Sequence, residues 1–128
     1  MKTQYTVTLA MLAGVAVGAL EVQGLHAQAK PPVYVVTEID VKNIDAYVKE
    51  YTPLVIATIK NSGGKILAAG QRLTTLEGTP PKPRVAVSVW DSLEKAQAWR
   101  NSAEYKKART IGDKYAKYRS FAVEGWPQ

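Results

Sequence analysis

The chain has 128 residues, room for one small domain, with 17 Lys and Arg against 11 Asp and Glu for a formal net charge of +6. It has no cysteine and one histidine, His26. Disulfides, Cys nucleophiles, ordinary zinc sites, His-ligated haem and Ser-His-Asp triads are therefore outside the chemistry of residues 30–128.

The N-terminus reads as a secretory signal. Lys2 supplies a positive start, "VTLAMLAGVAVGAL" (7–20) an apolar run, and Ala27-Gln28-Ala29 a small-residue cleavage pattern. The alternative is a retained anchor. Fourteen residues at about 1.5 Å each fall short of a hydrocarbon core about 30 Å thick. The expected division is residues 1–29 as signal peptide and 30–128 as one domain, periplasmic or secreted. The domain keeps 16 basic against 10 acidic residues, still +6.

After Lys30-Pro31-Pro32, "VYVVTEID" (33–40) is β-branched and aromatic and predicts a strand. Ile44, Tyr47, Val48, Tyr51, Leu54, Val55 and Ile59 then trace one helix face. Asn43 is placed to cap it, and Gly63-Gly64 to stop it. Pro53 predicts a kink, or a second segment capped by Thr52. "KILAAG" (65–70) predicts a short strand, "TTLEG" (74–78) a further strand piece, "TPPKP" (79–83) a turn and "RVAVSVW" (84–90) a strand. Asp91 with Glu94, and Asn101 with Glu104, have capping-box spacing, which predicts a helix broken in two, the second half starting near Ala103. "SFAVEG" (120–125) closes the domain as a strand. The order β-α-β-β-α-β predicts an α+β, ferredoxin-like fold: a four-stranded antiparallel sheet with helices on one face.

Alternation along the strands separates two faces. The most apolar sets are Val33, Val35, Thr37 and Ile39, then Val85, Val87 and Val89, then Phe121 and Val123. These are expected to face the helices. The opposite face would then carry Tyr34, Val36, Glu38, Arg84, Ala86, Ser88, Trp90, Ser120 and Ala122. It is too apolar for a wet surface, and this predicts a homodimer packed through it.

The stretches "VYVVTEIDVKNIDAYVKEY", "GGKILAAG", "RVAVSVWDSLEKAQAWRNSAEYKKA" and "SFAVEG" together resemble the bacterial domain of unknown function 1330 family. The signature Trp90-Asp91-Ser92-Leu93-Glu94 carries most of the resemblance, followed by Trp99, Asn101-Ser102 and Glu104-Tyr105. The resemblance implies a dimeric α/β barrel made by two face-to-face sheets. It supplies no activity, and most such domains carry no signal peptide. The wider dimeric α/β barrel group includes cofactor-free monooxygenases, isomerases, dehalogenase-like proteins and haem-degrading enzymes. The iron-ligating histidine of the last has no counterpart here.

Glu38 is the candidate for chemistry: partly desolvated inside a barrel, its pKa would rise toward a general-base role. The alternative is an ion pair with Arg84 or with a partner chain. Tyr34, Glu38, Arg72, Ser88 and Trp90 are candidate ligand contacts, with a cavity expected between Glu38, Ser88 and Trp90. Trp99 is expected in the core, and the Tyr105 ring is expected to pack with its hydroxyl bonded at the helix break. No metal or cofactor is expected. Residues 95–119 hold eight Lys or Arg against Glu104 and Asp113, which reads as a solvated helical surface, with weak attraction to anionic surfaces as its only bearing on membranes outside the signal segment. Nucleic acid is not expected as a partner. The leading reading is an exported dimer that binds a small, partly apolar molecule in its barrel. The alternatives are a cofactor-independent monooxygenase- or isomerase-like enzyme using Glu38, and a structural dimer with a filled barrel.

Overall fold

A computed structural model describes residues 30–128 of the chain; the expected signal segment, 1–29, lies outside them. Strand β1 is Val33–Val41, β2 Lys65–Gly70, β3 Arg84–Trp90 and β4 Ala116–Glu124. They form one antiparallel sheet in the order β2-β3-β1-β4. Helix α1 is a single turn, Ile44–Ala46, continued by a π-helical segment, Tyr47–Tyr51, and by α2, Thr52–Asn61. Helices α3 (Leu93–Asn101) and α4 (Ala103–Gly112) lie between β3 and β4. This is the α+β, ferredoxin-like arrangement that the element order predicts.

The helix signals act locally. The Asn43 side chain accepts the Ala46 N–H at 3.1 Å and starts α1. The wide turn has a cause two residues further on. Pro53 has no N–H, and in an ordinary α-helix its ring would meet the carbonyl four residues back. The chain instead opens to a π-turn, with the Thr52 N–H donating to the Tyr47 carbonyl. Gly63, at φ +92°, closes α2: its N–H bonds the Lys60 carbonyl at 3.1 Å, and the Gly64 N–H bonds Ile59 at 2.9 Å.

Two expected caps move by one residue. Ser92, not Asp91, caps α3 by accepting the Lys95 N–H, and Ser102, not Asn101, caps α4 by accepting the Tyr105 N–H, each at 3.1 Å. A serine follows directly in both places and is equally suited to capping. "TTLEG" forms no strand but part of the loop joining β2 to β3. Strand β4 starts four residues before the expected Ser120, because α4 already ends at Gly112.

The larger correction concerns the faces. The antiparallel register sets Val33 opposite Trp90, Val35 opposite Ser88 and Thr37 opposite Ala86 on one side of β1, and Val35 opposite Ala122 and Thr37 opposite Ser120 on the other. Directly opposed residues share a face. Trp90, Ser88 and Ala86 therefore lie under the helices, where Trp90 is 1% exposed, and the valines Val85, Val87 and Val89 lie on the open face with Tyr34, Val36 and Glu38. Large rings cause this inversion. Trp99, Tyr105, Tyr47 and Tyr51 descend from the helices and need small strand residues beneath them. Valine is the better filler for a face without helices. That face also carries Phe121 and Val123, 45% and 52% exposed.

Candidate functional site: a tyrosine-lined cavity between helices and sheet

Two core clusters lie under the helices. One joins Val35, Ile59, Trp90, Ala96, Trp99 and Tyr105; the other joins Ile39, Tyr47, Tyr51, Ala108 and Ala116, with Tyr118 packed against it. Val55 touches both. A cavity of about 190 Å³ opens where they meet. Trp99 and Tyr105 line it from the first cluster, Tyr47, Tyr51 and Tyr118 from the second, and Ser88 of β3 from below. Arg84 also lines it, and Ile56 of α2 and Ala69 of β2 form its exposed wall.

The tryptophan side is closed and satisfied. Trp90 and Trp99 stack at 4.9 Å between centroids and 27° between planes, and Tyr105 packs on Trp99 at 4.7 Å. Trp99 Nε1 donates to Thr58 Oγ1 at 2.9 Å, and that hydroxyl donates to the Val55 carbonyl at 2.8 Å. Trp90 Nε1 donates to Ser88 Oγ at 2.9 Å. The Trp90 ring leaves no room for a side chain at Gly64: a Cβ there would lie 2.5 Å from it. The Tyr105 ring packs as expected, but its hydroxyl accepts from Arg109 Nη1 at 2.9 Å, one turn along α4 and not at the helix break.

The tyrosine side is looser. Tyr47 and Tyr51 stand at the two ends of the π-turn, their centroids 5.2 Å apart. Tyr118 meets Tyr51 edge-on, and the Arg109 guanidinium sits 3.7 Å above the Tyr118 ring, held from behind by Asp113 at 2.7 Å. The Tyr118 hydroxyl abuts Gly112, whose missing side chain makes the space. Among the described residues it is the one buried side-chain polar atom without a hydrogen-bond partner. It lies near enough to Tyr47 for each to bias the other's ionisation, but the geometry is not that of a hydrogen bond. Burial, foremost, pushes the pKa of Tyr47, Tyr51 and Tyr118 above the ordinary phenol value of 10.0. All three are neutral hydroxyls at physiological pH. They can donate hydrogen bonds but cannot serve as bases.

Of the residues expected at a site, only Ser88 lines this cavity. Trp90 belongs to the packed core behind it. Glu38 lies on the opposite face of the sheet, so Glu38, Ser88 and Trp90 bound no common cavity. Its partner is not Arg84, which β3 carries to the helix side within 3.4 Å of Gln71. Glu38 Oε2 instead accepts from Arg119 at 2.5 Å, and Oε1 accepts from the Lys82 backbone N–H at 3.2 Å. Both oxygens already carry a donor, and neither faces the cavity. Tyr34 is on the open face, half-buried, and Arg72 is exposed in the β2–β3 loop. The residues that do form the cavity (Tyr47, Tyr51, Tyr118 and Arg84) leave one trace in composition: seven tyrosines stand against a single phenylalanine. A core that needed only aromatic bulk has no use for so many hydroxyls.

The family described as "Domain of unknown function (DUF1330)" matches residues 32–126. No curated protein matches. Among solved structures, a protein of unknown function from Rhodopseudomonas palustris is similar at TM-score 0.55 and 14% identity, over 84% of this chain and 92% of that one. SnoaB from Streptomyces nogalater, a cofactor-independent oxygenase, is similar at TM-score 0.58 and 10% identity, over 77% and 96%. A conserved protein from Methanosarcina mazei is similar at TM-score 0.53 and 15% identity, over 79% and 99%. At these identities the likeness is one of fold.

Proposed function

The chain belongs to the DUF1330 family, and from that premise we propose that it is an exported homodimer, each protomer binding one small, partly apolar molecule in the cavity between helices and sheet. The observation that carries the binding is the cavity itself. Interiors of this size are ordinarily packed without such voids, and this one is lined mainly by apolar and aromatic side chains with Arg84 and Ser88 among them.

The dimer is supported by the open face. Val36 sits there between Val87 and Phe121, its directly opposed neighbours, so an apolar band crosses the centre of an uncovered sheet. A barrel of two such sheets would be filled by valines, and ligand binding then falls to the cavity on the helix side. Val36→Lys would set an unpaired ammonium in the interface. Sedimentation should then show monomer or unfolded chain where the unaltered protein is a dimer; a monomeric unaltered protein would remove the barrel. Export rests on the sequence of residues 1–29.

The enzyme reading built on Glu38 loses support, because the cavity is lined by no carboxylate and Glu38 is on the far face. Native mass spectrometry of protein taken from its own host tests binding and export together. The expected species is a chain beginning at Lys30 that carries a small-molecule adduct. Ala86→Leu, which fills the cavity from β3, should keep the circular dichroism of the fold and lose the adduct. An adduct retained by Ala86→Leu would place binding elsewhere, and a chain retaining Met1 would end the export proposal.

A further inference from the structure

The hydroxyls around the cavity differ in what their protons do. Thr37 and Ser120 bond each other at 2.6 Å, Thr52 reaches the Tyr47 carbonyl at 3.4 Å, and the Thr58 proton goes to the Val55 carbonyl. These are taken. Ser88 Oγ receives the Trp90 N–H, but among the described residues its own proton has no acceptor. Tyr118 Oη has neither donor nor acceptor, but it is fully buried against Gly112 and does not open onto the cavity. Arg84 lines the same space as a cation that can only donate. Nothing on the lining is an anion.

We infer that the ligand is a monocyclic compound bearing an oxygen acceptor, a ring ketone, aryl carbonyl or aryl carboxylate, whose oxygen takes hydrogen bonds from Ser88 or Arg84 while its ring lies against Trp99, Val55 and Ile59. This rests on the cavity being the binding site and adds what it selects. Size sets the single ring: an apolar cavity of about 150 Å³ accommodates benzene, so about 190 Å³ admits one ring with a short substituent. Polarity sets the acceptor. A donor on the lining is left without a partner until an acceptor reaches it, and the Ser88 proton and the Arg84 guanidinium are such donors. Charge excludes the opposite class, since an ammonium would enter a space lined by a guanidinium and no carboxylate.

Trp99 forms part of the wall, so quenching of tryptophan fluorescence reports occupancy. Four probes of one size separate the possibilities: toluene, acetophenone, benzoate and benzylamine. Acetophenone or benzoate should bind about tenfold or more tighter than toluene, and benzylamine weakest of all. Arg84→Gln should weaken benzoate more than acetophenone. Toluene bound as tightly as acetophenone and benzoate would overturn the acceptor preference while leaving the cavity a binding site. Failure of all four probes, with Ala86→Leu indistinguishable from the unaltered protein, would end both.

Discussion

The two sides of the cavity are built from the same material, aromatic rings with one polar atom each, and differ in how that atom is treated. On the tryptophan side both indole N–H groups have acceptors in hand, Thr58 and Ser88, and the rings stack against a glycine with no space to spare. On the tyrosine side a hydroxyl is buried without a partner, three phenols are held neutral, and the rings border empty volume. Buried polar groups in stable interiors are nearly always satisfied. The tryptophan side accordingly reads as architecture, and the tyrosine side as the part of the core left open for something else.

Adding one methyl on each side sharpens the contrast most. Gly64→Ala drives a Cβ to within 2.5 Å of a stacked indole that cannot retreat, and should cost about 1–3 kcal/mol. Gly112→Ala meets as close a contact, but with the tip of the Tyr118 side chain and the edge of Tyr51, rings that line the cavity and have room to shift toward it, and should cost less. Denaturant unfolding measures both. Equal losses would mean that the tyrosine side is as rigidly packed as the other.

Removing one hydroxyl from each side comes next. Thr58→Val strands the Trp99 N–H in the core and should lower stability by about 1–3 kcal/mol. Tyr118→Phe removes an oxygen with no bond to lose and should be neutral or slightly stabilising. Destabilisation in Tyr118→Phe equal to that in Thr58→Val would show that its hydroxyl is bonded in solution and would break the comparison.

The smallest effect is in alkali. Tyr47, Tyr51 and Tyr118 have folded pKa values raised above 10.0, so the unfolded chain loses these protons first. With fewer protons bound in the unfolded state, stability is intact below about pH 10 and falls as pH rises beyond it. In Tyr118→Phe that fall should be shallower by up to one proton. An identical slope in the two proteins would mean that Tyr118 titrates as it does in the unfolded chain.

Local structure was legible in the sequence because its causes are local. Asn43 bonds a backbone group three residues away, Gly63 supplies the left-handed turn that ends α2, and Pro53 denies the helix a donor. The strand-helix order, and with it the ferredoxin-like fold, follows from such signals. The two shifted caps show their limit, since Asp91 and Ser92 can both cap and only the path of the preceding strand selects one.

The faces of the sheet were not legible, for a physical reason. Alternation in β3 shows that Val85, Val87 and Val89 share a side and that Ala86, Ser88 and Trp90 share the other. It does not say which side meets the helices. That depends on register with β1, set by backbone pairing across the sheet, and on rings arriving from helices distant in the chain, Tyr47 and Tyr51 before β3 and Trp99 and Tyr105 after it. The register moved Trp90 and Ser88 away from Glu38 and brought Ser88 to a cavity bordered by Tyr47 from one helical unit and Tyr118 from the last strand. The sequence by itself determined the elements, their order and a chemistry without cysteine. Only tertiary structure decided which hydroxyls would be buried without partners, because satisfaction of a buried group depends on neighbours distant along the chain.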